Sequence, residues 1–110
     1  MEKKKLLIKP EDAKQLIEPM GEALATDHIT VEGMKIGFMY RDEPEDNDDS
    51  GWRFLSGTEN QQYMDNPKNA GWYNVNLIAN YDPAIIPHLD SPIGSEFERV
   101  EGKDEFREMK

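Results

Sequence analysis

His28-Ile29-Thr30-Val31-Glu32-Gly33-Met34-Lys35-Ile36-Gly37-Phe38-Met39-Tyr40, followed after a gap by Gly51-Trp52-Arg53-Phe54-Leu55, is the part of the chain from which a fold class can be read. Ile29 and Val31 alternate with polar residues. Glu32-Gly33-Met34-Lys35 then makes a turn, and Ile36, Phe38 and Tyr40 recur at every second position, so the spacing predicts a hairpin. Trp52 and Phe54, bracketed by Gly51 and Gly57, share one face of a third predicted strand.

Working outward, Ala13, Leu16, Ile17, Met20 and Leu24 fall at helical spacing between Pro10 and Leu24. Pro10 suits a first-turn position, and Pro19 followed by Gly21 ends or bends the predicted N-terminal helix near Glu18. On the other side, Asn74 can cap a short helix over Val75 to Asn80. Asp82 with Pro83 can cap another running toward Leu89. The segment from Phe97 to Met109 reads as a final hairpin around Glu101-Gly102-Lys103-Asp104. A helix, strands, short helices and strands in that order predict a single α+β domain with a mostly antiparallel sheet. Its lead, residues 1–9, is expected to be flexible.

The 110 residues suffice for one core that buries roughly 65% of the unfolded surface, with no need for a metal or cross-link. Only 36% are hydrophobic and 33% are charged, with a net charge of −10, so the ten aromatic residues must supply much of the core. There is no cysteine, which removes disulfides, thiolate metal sites and cysteine nucleophiles, and suits a reducing compartment. Leu6-Leu7-Ile8 stops at Lys9-Pro10, far short of a signal-peptide core, and no stretch approaches the roughly 20 apolar residues of a membrane span. A cytoplasmic protein is expected. Ten excess acids repel a phosphate backbone and disfavour nucleic acid. They favour a basic protein partner, although such a charge serves solubility equally well.

Asp46-Asn47-Asp48-Asp49-Ser50-Gly51 begins like a calcium loop, but the twelfth position is Gly57 where a bidentate Glu is required. His28 and His88 are 60 positions apart and in no zinc spacing. Ser50, Ser56, Ser91 and Ser95 make no nucleophile elbow, and no phosphate loop is present. We therefore expect no catalytic, metal or cofactor site. The residues picked as partner contacts are Asp42, Glu43, Glu45, Asp46, Asp48 and Asp49 of the acidic connection, together with Trp52, Tyr63 and Trp72. Tyr and Trp in such polar settings make good interface anchors, and they equally well close a core beneath a turn-rich segment.

The phrases SGWRF (50–54), YMDNP (63–67), NYDP (80–83) and LDSPIGSEFER (89–99) resemble a bacterial family of immunity-protein-like domains associated with polymorphic toxins. The resemblance spans about Ala25 to Val100. It implies a domain that binds a cognate toxin and blocks it, with no active site to carry over. Two other readings stand beside it. One is a small hydrolase pairing His28 or His88 with a carboxylate in a pocket. The other is a structural domain that assembles through an unpaired strand edge.

Overall fold

Trp52 and Phe54 do share the buried face of a strand, and the sheet is laid out on either side of it. The computed structural model describes residues 4–109. Its six strands are β1 (Glu22–Thr26), β2 (Phe38–Arg41), β3 (Asp49–Leu55), β4 (Ala70–Asn74), β5 (Glu96–Arg99) and β6 (Phe106–Glu108). They form one sheet in the order β4-β1-β3-β2-β5-β6, with β1 parallel to β3 and the other neighbours antiparallel. The helices are short: α1 (Asp27–Thr30), α2 (Gln61–Met64) and α3 (Val75–Tyr81), with 3-10 turns at Pro10–Asp12, Pro67–Asn69 and Pro83–His88. The α+β class with a mostly antiparallel sheet is the one the sequence predicts.

Two predicted elements are replaced. The N-terminal helix shrinks to the 3-10 turn Pro10–Asp12, and Glu22–Thr26 is strand β1. A helix nucleus is costly, Pro19 removes a donor, and Leu16 remains 43% exposed, so no buried stripe rewards helix formation there. The segment is instead held extended by side chains of α3. Asn76 Oδ1 accepts from the amides of Leu16 (2.8 Å) and Ile17 (3.2 Å), and Asn80 Oδ1 accepts from Lys14 N (3.0 Å). Residues 4–9 are tethered as well, Leu7 N donating to Thr30 O and Ile8 N to the Tyr81 hydroxyl; residues 1–3 lie outside the described region.

The predicted strand over Ile29 and Val31 is the helical turn α1, closed by Val31 N donating to Asp27 O at 3.0 Å. Burial decides this, because one turn buries Ile29 completely in the cluster that holds Ile78 and Ala79 of α3. β2 therefore pairs with β3 and β5, and the first predicted hairpin does not form. Both predicted caps are present: Asn74 Oδ1 accepts from Asn76 N (3.0 Å) and Asp82 Oδ1 from Ala84 N (3.3 Å), the second on a 3-10 turn. The final hairpin is β5–β6, with Arg99 opposite Phe106.

Strand alternation divides the sheet into two unlike faces. One carries Ala23, Ala25, Met39, Trp52, Phe54 and Phe97, all buried, and packs on Val75, Ile78 and Ala79 of α3 with Ile85 and Leu89 beyond. The other carries Trp72, Leu24, Arg53 and Tyr40, which lie in one row across four strands by register. Among the described residues no helix longer than the single turn α2 lies on this second face, where Met64 borders the hollow over Leu24 and Leu55.

Candidate functional site

Arg53 is the centre of the second face, and the local chain is shaped to bury it. At Gly51 φ is +91°, and a Cβ there would stand 2.3 Å from the Asp42 carbonyl oxygen, so only glycine fits the kink. The β1–β3 register shifts at this kink, between Glu22 and Leu24. Asp49, at the start of β3, meets the Arg53 guanidinium with both carboxylate oxygens, each at 2.9 Å. The same carboxylate accepts from Glu45 N and Gly51 N, both at 2.8 Å.

This geometry fixes the charges. The Arg53 hydrogen bond holds the Asp49 carboxyl far below the usual carboxylate range, against a smaller opposing push from burial. Arg53 is raised in turn by Asp49. Its guanidinium sits 5.2 Å from the ring centroid of Trp72 on β4, a cation–π contact reaching from β3 across β1.

The acidic connection hangs from this ion pair. Asp42, Glu43, Glu45, Asp46 and Asp48 are exposed, and Asp46 Oδ1 tightens the loop by accepting from the amides of Asp48 (2.9 Å) and Asp49 (3.0 Å). Asp49 itself is only 7% exposed, so it anchors the loop from below and does not face outward. Trp52 is a second correction of place. It is completely buried, its Nε1 donates to Leu89 O at 3.1 Å, and it stacks on Phe54, because alternation sends it to the helix-covered face. Among the described residues, no group of three or more His, Asp or Glu side chains is arranged to hold a metal ion.

Three of the predicted contact residues are brought together. Glu45, Tyr63 and Trp72 line one groove of about 420 Å³ with Leu24, Met64 and Pro67. Trp72 is 43% and Met64 41% exposed, whereas Tyr63 is half-buried against the His28 ring at 4.2 Å. Sequence reasoning passed over Arg53, Leu24 and Met64. The readable signal for Arg53 was its phase: a basic residue between Trp52 and Phe54 must lie on the face opposite theirs, with Asp49 four residues back on that same side.

The two histidines lie in unlike surroundings. His28 Nδ1 lies 3.0 Å from Ser56 Oγ, 3.3 Å from Thr58 Oγ1 and 3.5 Å from Glu59 Oε2. A serine–histidine–acid relay needs the serine and the acid bonded to opposite ring nitrogens; Ser56 and Glu59 both stand on Nδ1, and Glu32 Oε2, the acid facing Nε2, is 3.9 Å away, beyond hydrogen-bond reach. Glu59 is a loop clamp: burial pushes its carboxyl up, but donors at Thr26 Oγ1, Ser56 N and Gly57 N outweigh this and leave it lowered. The His88 ring packs on Phe97 (4.6 Å) and Phe106 (6.0 Å).

The model of the immunity protein Imm33 domain matches residues 23–110. The chain belongs to the Imm33 family. The match begins at β1 and takes in every strand residue but Glu22, so the open sheet face and the acidic loop lie within the Imm33 domain, whereas the tethered N-terminal arm precedes it. No curated protein and no solved structure matches the chain.

Proposed function

We propose that this Imm33 protein binds a basic toxin protein in the cytoplasm and blocks it, using the second face of its sheet and the acidic loop Asp42–Asp48 as the contact surface. The observation that carries the reading is the sheet face itself. It presents an exposed Trp72 in register with half-buried Leu24 and Tyr40, beside a loop of five exposed carboxylates. A half-exposed tryptophan on a rigid strand is the kind of anchor that dominates protein interfaces, and clustered charges at the rim speed the approach of an oppositely charged partner. The net charge of −10 points the same way. The surroundings of His28, with Ser56 and Glu59 on one nitrogen and Glu32 beyond hydrogen-bond reach of the other, support inhibition by binding over chemistry on a substrate.

Tagged protein captured from its source cells at low salt, followed by assay of each captured protein for toxicity with and without the domain, tests this. A basic protein that is toxic alone and harmless when bound is expected, with the complex weakening as salt rises. Failure of every captured protein to show toxicity that the domain relieves would overturn the reading.

A further inference from the structure

Charge balance along the groove indicates what enters it. Asp49 cancels the charge of Arg53 through two hydrogen bonds, and Arg53 Nη1 also donates to Trp52 O at 3.1 Å. The guanidinium, 7% exposed, is thereby spent. Glu45 Oε2 stands 3.9 Å from Arg53 Nη2, too far for a hydrogen bond, and its side chain is 70% exposed. One uncompensated carboxylate therefore remains at the mouth of a groove whose walls are Leu24, Met64, Pro67 and the Trp72 indole. Thr26, Asn66 and Asn69 also border it.

A long apolar stem with a cationic head fits such a site, since stems of Lys and Arg lie along apolar surface while their heads seek a carboxylate or an aromatic face. We infer that the groove between β4 and the segment 61–69 is a subsite for one arginine or lysine side chain of the partner, its stem along Met64, Leu24 and the Trp72 indole and its head on Glu45 at the groove mouth, on the side away from Arg53. This rests on the toxin-binding reading and names the feature of the toxin that is gripped.

The subsite is testable without the toxin. The probe is an acetylated and amidated Gly-Arg-Gly tripeptide, with a Gly-citrulline-Gly tripeptide of the same shape and no charge as control. Both are titrated into the full chain while the two indole N–H signals and the backbone amides of the groove and the Asp42–Asp48 loop are followed by NMR. The expected result is saturable shifts at Trp72 and none at buried Trp52, with the citrulline probe at least about threefold weaker and Glu45→Gln weakening the arginine probe about threefold to fivefold. Trp72→Ala should remove saturable binding while the Trp52 signal stays in place, showing that the fold survives. Equal binding of the two probes, or shifts confined to the Asp42–Asp48 amides and unchanged by Trp72→Ala, would overturn it. If the probes behave as expected but no toxin is ever blocked, the toxin reading fails and the subsite stands. If a toxin is blocked equally well by Trp72→Ala and Glu45→Gln, the subsite fails and the reading stands.

Discussion

On one side of the sheet Met39, Trp52 and Phe54 are sealed in the core that α3 and the segment Pro83 to Leu89 complete. One residue along the same strands, half-buried Tyr40 and Leu55 flank buried Arg53 on the opposite face. The sealed side is held by dispersion and loss of apolar surface from water, and its residues have no further bonds to offer. The other side is held by an ion pair buried under a loop, with a tryptophan and a carboxylate left over. A protein of this size has little core to spare, so leaving Trp72 43% exposed on the sheet forgoes apolar burial that the sealed side obtains. The comparison teaches that the two faces are held by different forces, one by apolar burial and the other by an ion pair with an exposed tryptophan beside it.

The largest expected effect tests the sealed side. Phe54→Ala should cost about 3–5 kcal/mol in urea unfolding, by lost transfer energy plus a cavity. A loss below about 1 kcal/mol would mean that side is not closed as described. Next comes the ion pair. Asp49→Ala strands a buried guanidinium and should cost about 3 kcal/mol, while the double change Asp49→Leu with Arg53→Met should recover much of that. An additive double variant would show that the pair does not act as a unit.

Acid titration sharpens the same point. Because the folded Asp49 carboxyl lies below its ordinary value of 3.8, its contribution is complete above that pH and is lost as pH falls below it through the folded value. Wild type should therefore lose stability more steeply than Asp49→Asn as pH drops below about 4. Parallel acid limbs would contradict the assignment. The smallest effect on folding is expected from Trp72→Ala, within about 1 kcal/mol by thermal unfolding, since the ring is already half in water.

The parts legible in the sequence were those where local chemistry and tertiary demand agree. Asn74 and Asp82 cap because their side chains reach the next amides whatever surrounds them, and Trp52 with Phe54 had to share a face. The misread parts are those where distant contacts decide. The helical spacing from Ala13 to Leu24 was overruled by Asn76 and Asn80, some 60 residues away in sequence, and by Pro19. Ile29, strand-like in pattern, turned helical to fill a gap against α3. In the site, the acidic loop and Trp72 were legible as exposed polar and aromatic features. The inward turn of Asp49 was hidden because the kink at Gly51 and the pairing with Arg53 depend on the β1–β3 register.

The most direct test is calorimetric titration of the captured toxin into three forms of the protein at low salt: wild type, the open-face double variant Trp72→Ala with Glu45→Gln, and Glu18→Gln on the N-terminal arm. The account predicts a loss of at least about tenfold in affinity, about 1.4 kcal/mol, for the open-face variant and no change for Glu18→Gln. Unchanged affinity in the open-face variant would contradict it.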